Sequence, residues 1–355
     1  MKIVVLLGGN TSEREVSLRT GAGVARALEK LGHDVALLDT GTGQFLKDPD
    51  HAMALGAGPA PIHGMPARRG EQGLDVYVRS IPRAADLVFI ALHGGAGENG
   101  TLQALLDLAG IPYTGSGVLS SALAMDKVMS KRIFKVEGIP TPEWVERWAP
   151  EDPAAAWNPE ITSEEIARLK GYPLIVKPNE EGSSVGITLV KSAGELKPAM
   201  EEARRYGRLV LVEQFIEGRE LTVGVIGQRA LPVVEIIPTA GWYDYEHKYT
   251  SGASRYECPA SLPPAVAEEL FALSLRACRA LRTSGVARVD FRLGKDGVAH
   301  CLEVNTVPGL TELPRPQGGT GGRPSLRGSR EGDRGIRAGS RGALRHPMSA
   351  RTTTW

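Results

Sequence analysis

The period of apolar and polar positions changes several times along the chain, and each change marks an element. A continuous apolar run, Ile3 to Leu7, ends at Gly8-Gly9 and reads as a buried strand. A helical pattern follows over Val16 to Leu31, then strands over Asp34 to Leu38 and Asp86 to Leu92, and a helix over Thr101 to Ala109. Alternating strands and helices of these lengths predict a doubly wound parallel sheet spanning residues 1–125. Ligands in such sheets bind outside the carboxyl ends of strands, where Gly8-Gly9-Asn10 and His93-Gly94-Gly95 fall.

A second unit, residues 126–215, opens with a helix over Asp126 to Glu137, stopped by Gly138 and Pro140. The Trp144 to Ala167 region holds several prolines and one short helix. Strands Pro173 to Lys177 and Gly186 to Val190 then flank a Gly- and Ser-rich loop. A third unit, residues 216–313, has strands over Glu220 to Ile226 and Val233 to Ile237, an irregular loop from Thr239 to Ala260, and a helix over Ala265 to Arg282. It closes with a hairpin from Val286 to Thr306.

The hairpin carries the strongest chemical signal. With Asp296-Gly297 as a two-residue type I′ turn, Asp290 faces Glu303 and Arg288 faces Asn305, while Val289, Phe291 and Leu293 point to the core. Directly opposed like charges destabilise a ladder by up to ~1 kcal/mol, so a cation is expected between them. Two carboxylates and an amide oxygen form a donor set suited to Mg²⁺. A solvated hairpin face with an Arg to Glu cross-strand pair also fits this segment alone.

Composition narrows the class. At 355 residues two or three domains are expected. The net charge of +1 hides a split: the segment from Pro314 holds nine Arg against Glu331 and Asp333, and the preceding 313 residues carry 33 basic and 39 acidic side chains. A mildly acidic body does not suggest nucleic-acid binding. Cys258, Cys278 and Cys301 are odd in number and lack metal spacing, which favours reduced thiols in the cytosol. The opening apolar run is too short for a signal peptide core or a membrane span.

Lys177 ends an apolar strand and precedes the loop Asn179 to Gly186, whose backbone amides can approach an anion closely. Lys127, at the preceding helix start, offers a second positive charge. In the segment Val210 to Val223, Glu213 and Glu220 can accept hydrogen bonds from an adenine amino group and ribose hydroxyls, with Phe215 and Ile216 as an apolar platform. Surface glutamates near a core aromatic are the equal alternative.

Taken in order, G-G-N-T-S-E-R-E-V-S-L, H-G-G-A-G-E-N-G-T-L-Q, G-I-P-Y-T-G-S-G, M-D-K, V-K-P-N-E-E-G-S-S-V-G, Y-D-Y-E-H-K-Y, A-R-V-D-F and E-V-N-T-V-P-G make the chain resemble the ATP-grasp enzymes, and among them the D-alanine:D-alanine ligase family, over residues 1–313. The resemblance implies an α/β architecture with an ATP-grasp fold behind the N-terminal sheet. It also implies ATP-dependent joining of two D-alanines through a D-alanyl phosphate, in the cytoplasm, for peptidoglycan precursors, with a homodimer suggested. It assigns two Mg²⁺ (or Mn²⁺) ions to Asp290, Glu303 and Asn305, the inner phosphates to Lys127 and Lys177, and the γ-phosphate to Lys248. Glu15 matches the acceptor of the first D-alanine's ammonium, with Ser183 and Tyr249 as its hydrogen-bonded partners. Arg288 is placed at the oxyanion, and His93 and Glu98 line the first-substrate region. Tyr249 after Lys248 fits the dipeptide-forming type rather than a D-alanyl-D-lactate type.

One departure stands out. Where the family continues with a Ser-Leu pair and closing helices, this chain has Pro314 and Arg315, and proline offers neither hydroxyl nor N–H. The segment 314–355, with nine Gly and nine Arg, is expected to lack regular structure and to derive from a shifted reading frame or a divergent tail, leaving catalysis impaired.

Overall fold

Strand β1 (Lys2–Leu7) buries five consecutive residues, Ile3 to Leu7, because packed layers cover both of its faces. In the computed structural model, residues 1–57, 78–152, 155–182, 185–238 and 254–310 are described, all within one compact unit, Met1–Glu312. Val5 and Leu7 pack with Leu18, Ala22 and Ala25 of helix α1 (Arg14–Lys30). Val4 and Leu6 pack on the opposite side with Val88, Ile90, Leu102 and Leu106. That division is the doubly wound arrangement the sequence implies.

The remaining strands of this sheet are β2 (Asp34–Asp39), β3 (Gln44–Leu46) and β4 (Leu87–Ile90), in the order β3-β2-β1-β4. β1 runs parallel to β2 and β4, and β3 is an antiparallel edge. Helix α2 (Pro49–Leu55) follows β3, and α3 (Thr101–Ala109) follows β4. The Gly100 N-cap and Gly110 C-cap of α3 both have positive φ, of 94° and 67°.

Two short helices lead out of this sheet. The sequence pattern missed α4 (Val118–Met125), whose apolar residues are interrupted by Ser120 and Ser121 and show little amphipathic contrast. Helix α5 (Lys127–Val136) begins where expected, with Asp126 as N-cap accepting from the Met129 N–H at 2.9 Å.

The second sheet is antiparallel, in the order β5-β8-β6-β7: β5 (Trp144–Trp148), β6 (Leu174–Pro178), β7 (Thr188–Val190) and β8 (Leu209–Gln214). β5 lay hidden in a region read as loop and short helix. Its sequence W-V-E-R-W buries only Val145 fully, so the alternation is weak. The short helix is present as α6 (Ser163–Arg168), closed by a Thr162–Glu165 capping box. Helix α7 (Ala193–Ala203) covers the sheet through Ala199, Met200 and Ala203 although it contains Pro198.

The third sheet runs β12-β11-β9-β13-β14, with β10 (Arg229–Ala230) paired to β9. Its members are β9 (Gly218–Ile226), β11 (Val234–Pro238), β12 (Ser254–Glu257), β13 (Val286–Gly294) and β14 (Ala299–Asn305), and α8 (Pro264–Ala280) packs against its buried face. β12 corrects the expectation of an irregular loop up to Ala260, since Glu257 pairs with Glu235 and Ser254 with Pro238. Among the described residues no helix is long and apolar enough to cross a membrane.

Candidate active site

The register at the heart of the hairpin is the expected one: Arg288 opposes Asn305 and Asp290 opposes Glu303. It is reached differently. Asp296 does not take positive φ, whereas Gly297 has φ 82°. Gly297 N–H donates to Gly294 O at 3.0 Å and Gly294 N–H to Val298 O at 2.9 Å, so the loop has three residues, Lys295 to Gly297, rather than a two-residue type I′ turn. That offsets the strands by one residue. A bulge then restores the register: Phe291 pairs with Cys301 and Asp290 with Glu303, leaving Leu302 without an opposite. Ala299, Cys301 and Val304 can therefore all face the core, while Glu303 and Asn305 share the open face with Asp290.

Asp290 is held on three sides. Arg288 Nε and Nη2 donate to its two oxygens at 2.8 Å each, Thr222 Oγ1 donates at 2.6 Å, and Asn305 Nδ2 at 3.0 Å. Arg288 thus pairs along its own strand with Asp290. The cation beside Glu303 is Lys127, its Nζ 3.9 Å from Oε2. Among the described residues no three His, Cys, Asp or Glu side chains form a metal cage. The donor set that fits a cation is two carboxylates and an amide oxygen, which suits an ion that keeps waters and phosphate oxygens as further ligands.

Lys127 comes to this face because α5 starts against β6. Asn179 Oδ1 accepts from Val128 N–H at 2.9 Å, and Lys127 Nζ donates to Glu181 O at 2.5 Å and to Asn179 O at 3.3 Å. Burial pushes the Lys127 ammonium down, against the pull of Glu303. Glu98, Lys127, Glu181, Glu303 and Asn305 line one cleft. Within it, burial raises the Glu181 carboxyl to about 7, with Lys127 opposing and Glu13 and Glu180 reinforcing the shift.

Lys177 and Glu213 meet directly. The Lys177 ammonium is ion-paired to Glu213 Oε2, and Lys131 Nζ lies 2.5 Å from Oε1. Glu213 is therefore an interior carboxylate, 3% exposed, clamped by two lysines, and these take both oxygens proposed for adenine recognition. Burial alone would raise its pKa, but the two ammonium groups outweigh that and bring it down to about 2. Phe215 and Ile216 follow at the end of β8, with Ile216 buried. Glu220 sits on β9 opposite Arg292, the charged groups 3.9 Å apart.

His93 lies at the carboxyl end of the first sheet, with Nε2 3.0 Å from Thr20 Oγ1 and Nδ1 3.9 Å from Glu98 Oε1. Burial lowers the imidazole's affinity for a proton, yet Glu98 and Glu13 override this and raise it. Glu98 also accepts from Gly94 N–H at 2.9 Å.

The carboxylate that α1 brings to this corner is that of Glu13. A Cβ at Gly94 would stand 2.7 Å from Glu13 Oε2, and one at Gly182 would stand 2.9 Å from it. Glycine at both positions lets two loops close around that oxygen. Glu13 is the N-cap of α1, outside the helical turns, whereas Glu15 lies in the first turn of the helix. Glu15 Oε2 is buried and has no hydrogen-bond partner. Glu13 stands in the same S-E-R-E motif as Glu15, two residues earlier. Lys131 was also missed, because a lysine on an amphipathic helix ordinarily reads as solvated. Its i+4 spacing from Lys127 and i−3 spacing from Phe134 place it on the buried face. Ser183, Lys248, Tyr249 and the segment Pro314 to Trp355 lie outside the described residues.

A mainly parallel α/β unit followed by two antiparallel sheets, with Lys127 and the hairpin residues Glu303 and Asn305 on a shared cleft, defines an enzyme of the ATP-grasp class. Family models described as the D-ala D-ala ligase N-terminus and C-terminus match residues 2–116 and 133–315. A D-alanine--D-alanine ligase of Geobacter sulfurreducens is 42% identical over 314 residues, covering 88% of this chain and 85% of that protein. One from Anaeromyxobacter sp. is 44% identical, covering 87% and 88%. The crystal structure of the Bacillus anthracis D-alanine--D-alanine ligase superposes with a TM-score of 0.68 at 33% identity, covering 88% of each chain, and its ATP complex gives 0.66. The chain belongs to the D-alanine--D-alanine ligase family.

Proposed function

We propose that this chain joins two D-alanines at the expense of ATP, making D-alanyl-D-alanine for peptidoglycan precursors. The reading is carried by one observation: Lys127 stands between the hairpin carboxylate Glu303 and the backbone of the loop after β6, so the phosphate-binding candidate Lys127 shares one cleft with the metal-binding candidates Glu303 and Asn305.

In this mechanism a carboxylate oxygen of the first D-alanine attacks the γ-phosphorus and ADP leaves. The amine of the second D-alanine then attacks the acyl carbon and inorganic phosphate leaves, with one proton released from the ammonium. Asp290, Glu303 and Asn305 would hold Mg²⁺ or Mn²⁺, which would supply charge neutralisation on the transferring phosphoryl group. Lys127 and Lys177 hold the inner phosphates, and Lys248 reaches the terminal one. Arg288, fixed by its two bonds to Asp290, is aimed at the developing oxyanion. Glu13 takes the ammonium of the first D-alanine in the corner formed with His93 and Glu98, and Ser183 and Tyr249 are assigned as its hydrogen-bonded partners by the family resemblance. Phe215, Ile216 and Glu220 are assigned to the adenosine. The same kinship supports a cytoplasmic homodimer, which sizing of the purified chain tests.

A D-alanyl-D-lactate product is the less favoured reading, since the relatives named at 42% and 44% identity are D-alanine--D-alanine ligases. The test is ADP and phosphate release by the full chain with Mg-ATP and D-alanine, with the product identified by mass spectrometry and D-lactate offered in parallel. D-alanine-dependent release with dipeptide formation is expected. ATP binding without D-alanine-dependent release would overturn the reading and mark an impaired chain.

A further inference from the structure

Three elements converge on a side chain that the mechanism above leaves idle. Lys131 lies on the buried face of α5 and is 0% exposed. Its ammonium donates to Thr141 Oγ1 and to Pro142 O at 2.9 Å each, and it is ion-paired to Glu213 Oε1 at 2.5 Å. The face of Trp144 lies 5.2 Å from it on β5. Lys131 is therefore anchored at several points, and any movement would strand buried groups.

Lys177 is differently placed. It shares Glu213 with Lys131 but has no other ion-pair partner among the described residues, and its side chain is 8% exposed. We infer that Lys131 is a positioning residue for the nucleotide site: it serves as the permanent counter-ion of Glu213, so that Lys177 can exchange this carboxylate for a phosphate oxygen when nucleotide enters. This rests on the reading of Lys177 as a phosphate ligand.

The physical reason is the cost of leaving a charge unpaired in the interior. A carboxylate with a single counter-ion holds it strongly, because losing it leaves a desolvated anion. With two counter-ions, one can depart and the remaining pair stays neutral. Lys131, fixed by Thr141, Pro142 and Trp144, is the one that stays. Burial depresses the Lys131 ammonium to about 8 while Glu213 opposes the shift, which fits a cation kept charged chiefly by that carboxylate.

The test is Mg-ADP affinity by calorimetry on the full chain. Lys131→Met keeps the alkyl stem and removes the charge; Glu213 then retains Lys177, and affinity is expected to fall at least ~10-fold. Adding Glu213→Gln to it removes the competing carboxylate and should restore affinity to within ~3-fold of the Glu213→Gln variant alone, a coupling that a purely structural role would not produce. A double variant as weak as Lys131→Met, or a Lys131→Met variant that binds normally, overturns the inference. Lys177→Met separates the underlying reading: if it binds Mg-ADP like the unaltered chain, Lys177 is not a phosphate ligand at all. Should the variants fail to fold, a crystal structure of the unaltered chain with Mg-ADP decides. Lys131 is expected to remain on Glu213 with Lys177 moved to a phosphate oxygen, and Lys177 still on Glu213 would refute the exchange.

Discussion

Arg14 separates two glutamates, Glu13 at the N-cap of α1 and Glu15 in its first turn. Arg14 itself turns to Asp39, its Nη1 and Nη2 donating at 2.8 and 2.6 Å and anchoring the start of α1 to the end of β2. Glu13 faces Gly94 and Gly182, so removing its charge is expected to hit substrate binding hardest. Glu13→Gln should lower kcat/KM for D-alanine by at least ~10-fold, the scale of one lost charge-assisted hydrogen bond. The loss from Glu15→Gln should be clearly smaller. Steady-state kinetics of both variants checks this, and a larger loss at Glu15 would return the ammonium role to that residue. At the hairpin, Glu303→Gln keeps the shape but removes one of the two anionic donors. Turnover at saturating Mg²⁺ should drop by at least ~10²-fold, as when other preorganised electrostatic groups are removed. Unchanged turnover there would sink the metal assignment.

At the scale of elements, what could be read from sequence depended on whether burial leaves a clean period. β1 and β13 declare themselves, the first by an unbroken apolar run and the second by strict alternation over nine residues. β5, α4 and α7 do not: Trp144 and Trp148 stay partly or largely exposed, serines interrupt α4, and Pro198 argues against a helix that the packing of Ala199 and Met200 nevertheless supports. The facing of Asp290 and Glu303 was legible, but for a reason only partly right, since a three-residue loop and a bulge at Leu302 offset each other. The extra residue shows in the sequence as a change of phase between Cys301 and Val304, both core-facing yet three apart. The clamp on Glu213 was not legible, because it joins α5, β6 and β8 and no local pattern records which side chains meet. The loop itself gives a clean test. Gly297 has φ 82° and nothing within 4 Å of where a Cβ would stand, so Gly297→Ala costs only backbone strain. A loss of about 1 kcal/mol in unfolding free energy is expected, with Mg-ADP affinity unaltered. A neutral effect in urea titrations would show that the loop adapts to another turn.

Across the whole molecule, the interior gathers charge of both signs, and two of its carboxylates respond to pH in opposite senses. Glu213 is brought down to about 2 from a usual 4.5, so the stability it contributes is present above pH 4.5 and is lost as pH falls toward 2. Glu181 is pushed up to about 7, mainly by burial. A carboxyl whose folded pKa is raised contributes stability that is fully present below its unfolded pKa, here 4.5, and is lost as pH rises through 7. The ligand-free protein should therefore carry a penalty from ionised Glu181 once the pH exceeds 7, a shift of this size corresponding to roughly 3 kcal/mol. Glu181→Gln removes the titration while keeping the shape. Its urea midpoint should exceed that of the unaltered chain at pH 8, and the two should converge as the pH approaches 4.5. Comparing the two chains isolates Glu181 from His93, whose raised pKa acts in the same window in both. Midpoints whose difference stays constant from pH 4.5 to 8 would show that the Glu181 carboxylate is accommodated in the cleft without cost, and that Lys127 compensates for its burial.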